Sequence, residues 1–191
     1  MDQREMLKIM TESGALLEGH FELRSGLHSD QYFQCAYVLR YPRLAARLCE
    51  ALAQKMQGHF GSGPFADGVI APAMGGIAVG HELARALDLP FIFAEKQEGR
   101  LVLRRFPIHK GERFVVAEDV ITRGGRVQET IDIVEKSGGA VVAVAFLVDR
   151  SAGAVRFTYP MFSLLEMAPA TYEPQKCPLC ARGIPMAHPG S

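Results

Sequence analysis

Two adjacent carboxylates, Glu118 and Asp119, end an apolar run and are followed by Thr122 and the glycine pair 124–125. The run 114–117 is typical of a strand covered on both faces of a parallel sheet, so the carboxylates are expected at its C-terminal end. The glycines let backbone N–H groups approach an anion at the start of a helix, with Thr122 as the expected helix cap. Carboxylates repel a phosphate but accept hydrogen bonds from vicinal hydroxyls. The stretch therefore predicts a site for a ribose 5-phosphate.

The same stretch resembles the ligand-binding motif of the type I phosphoribosyltransferase family, in which an apolar strand, two acids and an apolar pair precede a Thr/Gly-rich turn. An acid pair alone is usually a solvated strand end, but the whole arrangement favours ligand binding. The family usually has small residues at the positions of Arg123 and Arg126. This difference changes the electrostatics of the turn more than its backbone geometry. The resemblance implies that phosphoribosyl pyrophosphate (PRPP) binds Glu118, Asp119, Val120, Ile121, Thr122, Arg123, Gly124, Gly125 and Arg126.

The segment 19–35 predicts two short strands around a turn at 25–26, with Tyr32 and Phe33 on the second strand. Adjacent aromatics are usually core residues, one of them facing inward. However, the pattern Phe-x-Leu-Arg-Ser-Gly followed by Ser-x-x-Tyr-Phe resembles the N-terminal hood of the orotate phosphoribosyltransferase family, which often has Lys at the position of Arg24. The resemblance implies that Arg24, Tyr32 and Phe33 bind the pyrimidine orotate.

Arg150 follows the most apolar strand, 140–148, directly after Asp149. One alternative is a surface ion pair with Asp149, which would contribute little. In the resembling family an Asp-Arg at this point faces the pyrimidine, and a guanidinium fork matches a planar carboxylate or carbonyl edge. Arg150 is therefore predicted to bind orotate, together with Thr122.

A second glycine-rich turn, with Gly75 and Gly76, follows the short strand 68–71. In the resembling family a turn at this place binds pyrophosphate and often contains a non-proline cis peptide bond. Gly75 stands where many orotate enzymes have a lysine, so that positive charge must come from elsewhere or be missing. Both glycines are added to the predicted PRPP site.

Basic side chains gather around a turn after the strand 91–94. A solvated β-hairpin with surface charges is the alternative. The position matches the mobile loop that covers pyrophosphate in orotate enzymes. The length and the sequence of this segment differ from the Arg-Lys-x-x-Lys-x-His motif that is better known in the family. The resemblance implies catalytic roles for Lys96, Arg104 and Arg105.

The C-terminal tail contains Cys177 and Cys180 in a Cys-x-x-Cys motif, with His188 beyond it. The motif invites a zinc hypothesis, but a structural zinc site needs four ligands, and the other thiols lie in different predicted elements. We therefore expect a terminal cap, assign no metal ligands, and expect the four cysteines to be reduced thiols.

Composition excludes several function classes. The 191 residues carry 21 Lys and Arg against 21 Asp and Glu, so a chain-wide basic footprint for nucleic acid is absent. The stretch 1–10 lacks an apolar signal core, and no apolar run approaches the length of a membrane span. We therefore expect a cytoplasmic protein with no nucleic-acid or membrane partner.

Apolar strands alternate with amphipathic helices, which predicts a doubly wound, mostly parallel α/β sheet with its site at the C-terminal ends of the strands. Helices are expected over 2–14, 42–57, 77–87 and 126–136, and a peripheral β segment over 151–168. One domain is expected, with a hood over about 1–40, a core over about 41–166 and a tail over 167–191.

Together with the resemblance, these features imply an enzyme that converts orotate and PRPP to orotidine 5′-phosphate and pyrophosphate in pyrimidine biosynthesis, with Mg²⁺ as cofactor. The family also implies a homodimer whose mobile loop closes the partner's site. A purine or xanthine phosphoribosyltransferase is one alternative; it would share the acid pair and lack the set Arg24, Tyr32, Phe33 and Arg150. A non-catalytic PRPP-sensing regulator is the other, and it needs a basic face or an added nucleic-acid-binding domain.

Overall fold

The computed structural model describes residues 1–23, 25–61 and 63–189. The helices are α1 (Gln3–Glu12), α2 (Ala36–Leu39), α3 (Pro42–Phe60), α4 (Gly75–Leu87), α5 (Gly125–Lys136) and α6 (Pro178–Ala181), with a 3₁₀ turn at Pro174–Lys176. The strands are β1 (Leu16–Glu22), β2 (His28–Phe33), β3 (Gly68–Pro72), β4 (Phe91–Gln97), β5 (Arg100–Val102), β6 (Arg113–Ile121), β7 (Ala140–Asp149), β8 (Met161–Glu166) and β9 (Thr171–Tyr172). Arg24 lies outside the described residues, so its role stays a prediction.

The core of the structure is a six-stranded sheet in the order β5-β4-β3-β6-β7-β8. All neighbouring strands are parallel except the β4–β5 hairpin, which is antiparallel. The expected peripheral β segment supplies β8, the edge strand beside β7. The prediction of a doubly wound, mostly parallel α/β sheet is therefore confirmed.

Alternate residues of β6 bury opposite faces of this sheet. Val115 and Ala117 join the cluster that also contains the apolar faces of α1, α3 and α4, whereas Phe114 and Val116 pack with α5. Val115, Val116 and Ala117 are completely buried. Burying a valine stabilises the fold by about 1.5 to 3 kcal/mol, so the strand that delivers the acid pair is firmly held.

The predicted helices form, with small shifts at their ends. Helix α1 begins at the N-cap Asp2, whose carboxylate accepts a hydrogen bond from Glu5 N at 2.8 Å. Helix α3 carries Pro42 in its first turn and buries Leu48 and Leu52 on one face, as the four-residue spacing predicts. No helix within the described ranges is long and apolar enough to cross a membrane.

The hood is a three-stranded antiparallel sheet in the order β1-β2-β9. Strands β1 and β2 form the predicted hairpin, and β9, from the tail, pairs with β2. On the other edge of the hairpin, Ala187 N donates to His20 O at 2.8 Å and Glu22 N donates to Ala187 O at 3.0 Å. The tail thus lies against both edges of the hood hairpin.

Candidate active site

Two neighbouring cavities lie at the C-terminal ends of the central strands. The hood cavity, about 510 Å³, lies between the hood and the ends of β3, β6 and β7. The turn cavity, about 570 Å³, is lined by residues of the stretch 118–129, where β6 passes into α5. Glu118 and Asp119 line both cavities, so the predicted ribose site stands where the two meet.

The acid pair is held by backbone donors; Glu118 is buried and Asp119 is half-buried. Asp119 N donates to Glu118 Oε1 at 3.1 Å, and Val120 N donates to Asp119 Oδ1 at 2.8 Å. Burial, followed by repulsion from Asp119, raises the pKa of Glu118 well above its ordinary range. Burial also raises the pKa of Asp119. A ligand that offers hydroxyl donors or positive charge here would stabilise the ionised pair.

The turn after β6 brings the whole predicted PRPP stretch to the turn cavity, including Ile121 and Gly125. Gly124 is the N-cap of α5, with φ of +73°, and a Cβ there would lie 2.9 Å from Val155 Cγ1. The prediction that Thr122 caps this helix is wrong, because the N-cap is Gly124 and no side-chain hydrogen bond caps the helix. The first N–H groups of a helix lack intrahelical acceptors and suit an anion, so the turn retains its predicted phosphate chemistry.

Arg123 and Arg126 line both cavities and are exposed. Arg126 acts electrostatically on Glu118, whose pKa it lowers against the larger effect of burial. The two arginines that depart from the family pattern therefore add positive charge beside the helix N-terminus, where a phosphate would gain from it.

The second glycine turn lies against the acid pair. A Cβ on Gly75 would stand 3.2 Å from both Asp119 carboxylate oxygens, and one on Gly76 would stand 3.0 Å from Glu118 Oε1. The peptide bond between Ala73 and Met74 is cis, as the resemblance predicted. Gly75 lines the hood cavity, whereas Gly76 is buried behind it. The small residues let this turn approach the carboxylates closely.

Arg150 lines the hood cavity with a half-buried side chain. Its guanidinium carbon lies 5.7 Å from the centre of the Phe33 ring, and burial lowers its pKa. Its Nε is buried without a hydrogen-bond partner among the described residues. Asp149 instead accepts a hydrogen bond from Ser151 N at 2.7 Å, so the surface-pair alternative finds no support there. A guanidinium that lines a cavity suits a planar acceptor, such as a carboxylate, on the ligand.

The aromatic pair of β2 also lines the hood cavity. Phe33 is 3% exposed and belongs to the hydrophobic core, so the core interpretation of this ring is confirmed along with its place at the cavity. Tyr32 is half-buried, and the centre of its ring lies 5.9 Å from the centre of the Phe21 ring. Together with Arg150, they give this wall the flat apolar surface and cation that suit a planar anionic base.

The basic residues of the β4–β5 region are apart from both cavities in this chain. Lys96 lies on β4 opposite Leu101, and Arg105 Nε forms an ion pair with Glu95 Oε1 at 3.0 Å. Lys96, Arg104 and Arg105 are exposed and are not among the residues that line either cavity. Their catalytic roles therefore stay predictions.

Several hood-cavity residues were missed by the sequence interpretation, namely Leu23, Ser25, Gln34, Cys35, Pro72, Ala73 and Met74. Cys35 is buried, with Sγ 4.0 Å from Asp119 O, and burial raises its pKa. Met74 is 83% exposed although it is large and apolar. Their nearness to Tyr32, Phe33 and the glycine turn in sequence was the available signal.

The fold and this site define a phosphoribosyltransferase. Residues 39–178 match the family model described as the phosphoribosyl transferase domain. That span contains the central sheet, both glycine turns, the acid pair and Arg150.

Relatives narrow the class further. The orotate phosphoribosyltransferase of Carboxydothermus hydrogenoformans is 49% identical over 188 residues, with 98% of this chain and 97% of the relative covered. That of Caldicellulosiruptor bescii is 49% identical over 192 residues, with 100% and 98% covered. The crystal structure of orotate phosphoribosyltransferase from Aeropyrum pernix has a TM-score of 0.70 at 25% identity, covering 85% of this chain and 93% of that one. The chain therefore belongs to the orotate phosphoribosyltransferase family.

Proposed function

We propose that this chain transfers the phosphoribosyl group of PRPP to orotate and releases pyrophosphate, giving orotidine 5′-phosphate for pyrimidine biosynthesis. The observation that carries the proposal is one cavity lined both by the acid pair, Glu118 and Asp119, and by Arg150, whose guanidinium lies beside Phe33. Hydroxyl groups of a ribose suit the acid pair, and the carboxylate of orotate suits Arg150.

The reaction requires positioning rather than a protein nucleophile. Positive charge develops at the ribose C1 as pyrophosphate leaves and the orotate nitrogen attacks from the opposite face. The acid pair holds the ribose hydroxyls, the α5 turn with Arg123 and Arg126 holds the 5′-phosphate, and Arg150 orients orotate. Fixing both reactants in line removes much of the entropic barrier of a bimolecular step.

Mg²⁺ is the cofactor that the family implies, and the donor set agrees with it. Mg²⁺ is usually held by one or two carboxylates together with substrate phosphates, and Glu118 and Asp119 are two carboxylates at the cavity whose pKa values burial raises. They are the residues of this chain that would hold the ion with PRPP. When bound, it would neutralise charge on the pyrophosphate.

Turnover of PRPP with orotate, adenine, hypoxanthine, xanthine and uracil, measured side by side, tests the function. We expect turnover with orotate alone, because only orotate brings a carboxylate to Arg150. Pyrophosphate release and the nucleotide product are measured for each base. Turnover with a purine and none with orotate would support the purine alternative, and PRPP binding without any turnover would support the regulator.

We further infer that the chain is a single domain that works as a homodimer in the cytoplasm, with the β4–β5 hairpin of one subunit covering the partner's hood cavity. The exposed positions of Lys96, Arg104 and Arg105, apart from the cavities of their own chain, support this arrangement. A leaving pyrophosphate needs cationic partners beyond those of the turn, and Lys96 on β4 with Arg104 and Arg105 just after β5 would supply them.

Mixing two damaged chains tests the shared site. Asp119→Asn loses a charge-assisted hydrogen bond worth about 1.5 to 3 kcal/mol, and Arg104→Ala loses a cation whose removal lowers the rate by about 10² to 10³. Random pairing makes about half of the dimers mixed, each with one intact site, so roughly a quarter of wild-type activity should return. Turnover is measured after co-refolding, against each parent at equal protein.

The control replaces Arg104→Ala by Arg43→Ala, an exposed arginine of α3 that lines neither cavity. That chain should be active on its own, and its mixtures should show only the average of the two parents. Light scattering establishes that dimers form. Dimers of Arg104→Ala and Asp119→Asn without recovered turnover would mean that the hairpin serves its own subunit or that Arg104 has no part in the reaction.

A further inference from the structure

Four metal-ligand side chains from distant parts of the chain meet between the hood and the tail. His20 on β1 and His28 on β2 face Cys177 and Cys180 of the tail motif, and one ligand atom from each lies within 4.8 Å of all the others. Both histidines and Cys177 are buried, and Cys180 is exposed. The expectation that the tail motif lacks a full ligand set is therefore wrong. His188, the histidine named with it, lies instead with Nδ1 3.0 Å from Glu22 Oε2.

Four distances between these atoms are close to the edges of a tetrahedral zinc site. Zn–N bonds of about 2.0 to 2.1 Å and Zn–S bonds of about 2.3 Å place nitrogens about 3.3 Å apart and nitrogen about 3.6 Å from sulfur. His20 Nε2 lies 3.0 Å from His28 Nδ1 and 3.6 Å from Cys177 Sγ. Cys180 Sγ lies 3.7 Å from His20 Nε2 and 3.3 Å from His28 Nδ1. The four atoms need only small shifts to surround one ion.

The tautomer of His20 is set for metal binding. Its Nδ1 lies 2.8 Å from the carbonyl oxygen of Ile184, an arrangement in which the N–H donates to the carbonyl. Nε2, the nitrogen that faces the other three ligands, then carries a lone pair. Metal-binding histidines almost always donate their other N–H to a carboxylate or backbone carbonyl in this way, which orients the ring.

We propose that His20, His28, Cys177 and Cys180 bind one zinc ion that fastens the tail to the hood. Binding displaces the two thiol protons to solvent, and the two thiolates balance the charge of Zn²⁺, so a neutral centre is buried. Tetrahedral sets of two sulfurs and two nitrogens select zinc or an iron–sulfur cluster. The short mutual distances leave room for a single ion, which favours zinc over a two-iron cluster.

The consequence of this site lies in the hood cavity. His20 and His28 flank the turn that carries Leu23 and Ser25, two residues that line this cavity. The zinc ion would join both hairpin strands to a tail that is distant in sequence, since His20 and Cys177 are 157 residues apart and His28 and Cys180 are 152 apart. The site is structural, and its existence does not depend on the proposed reaction.

Metal analysis of the full chain tests the proposal. Protein prepared without an affinity tag and dialysed against metal-free buffer should hold about one zinc ion per chain. Cys177→Ser and Cys180→Ser should each lose nearly all of it. Cobalt supplied to the zinc-free wild-type chain should give the visible absorption of a tetrahedral thiolate site. Removing the zinc from the wild-type protein with a chelator should lower the melting temperature of the protein. This measurement does not require any variant to fold.

Two matched controls locate the ion. Cys49→Ser removes a buried thiol of the core, whose Sγ lies 3.7 Å from Val79 O, and His188→Ala removes another histidine of the tail. Both should retain the zinc. A wild-type chain that stays free of metal after incubation with zinc would overturn the proposal, as would a Cys177–Cys180 disulfide found by mass spectrometry in the native protein. Unchanged zinc content in both cysteine variants would place the ion elsewhere and overturn it equally.

Discussion

Replacing Arg150 with Ala is expected to raise the KM for orotate by roughly 10- to 150-fold, because a hydrogen bond to a charged partner contributes about 1.5 to 3 kcal/mol. The KM for PRPP should change far less, since Arg150 lines the hood cavity beside Phe33 and is not among the residues that line the turn cavity, where the phosphate is expected. The fold should survive, because the buried Nε has no partner among the described residues to lose. Steady-state kinetics with each substrate varied in turn makes the measurement.

Two further variants separate recognition from charge. Arg150→Lys keeps the positive charge and loses the planar fork, so it should recover only part of the orotate affinity. Arg156→Ala removes an exposed arginine of the following segment, and its kinetics should match those of the wild type. An equal loss for orotate and PRPP in Arg150→Ala, or a matching loss in Arg156→Ala, would indicate a structural role.

The alternation of strands and helices, and the side of the sheet that carries the site, could be predicted from the sequence. Both depend on local patterns: a continuous apolar run such as 114–117 implies a strand buried on two faces, and whatever follows it must appear at the strand end. The places of the acid pair and Arg150 follow from this pattern, whereas the role of Arg150 followed from the family resemblance. Each directly follows or ends such a run, and the structure brings them to one cavity.

Other parts depend on contacts between distant segments, which no local pattern records. The Cys-x-x-Cys motif supplies two ligands, and His20 and His28 join it only because the tail folds back onto the hood. The helix cap at Gly124, rather than at Thr122, follows from the packing of Val155 against the turn, where a Cβ at position 124 would approach to 2.9 Å. Sequence pattern could not give either result.

The acid pair also shows a conflict between stability and function. Glu118 is 8% exposed, and burial together with Asp119 raises its pKa from 4.5 to about 9. Groups held in an unfavourable ionisation state are common at functional sites, because the ligand supplies what the free protein lacks. At this site the missing partners are hydroxyl donors and a cation, both of which PRPP with Mg²⁺ would bring.

Glu118→Gln is therefore expected to lose activity and gain stability. The loss of a charge-assisted hydrogen bond to a ribose hydroxyl should lower kcat/KM for PRPP by roughly 10- to 150-fold, from about 1.5 to 3 kcal/mol. The variant should unfold with a clearly higher free energy than the wild type at pH 8, because it removes a carboxyl group that burial holds against ionisation. Gln keeps the oxygen that accepts from Asp119 N at 3.1 Å, so this backbone donor stays paired.

The pH dependence identifies the cause of that gain. The folded-state pKa of Glu118 is raised, so its contribution to stability is fully present below about pH 4.5 and is lost as pH rises towards about 9. Wild-type stability should fall through this window relative to Glu118→Gln, and the two chains should approach each other near pH 5. Urea unfolding at pH 5, 6, 7 and 8 follows the difference, with m-values compared to check that both chains unfold alike.

Glu12→Gln serves as the matched control, because Glu12 is exposed on α1 and pairs weakly with Lys8 at 3.7 Å. Its stability should follow that of the wild type at every pH, since removing a solvated carboxylate relieves no burial. A Glu118→Gln chain that is less stable than the wild type at pH 8, or a difference that does not change with pH, would mean that Glu118 is already ionised and satisfied in the free protein. The buried acid pair would then need no ligand to stabilise its charge.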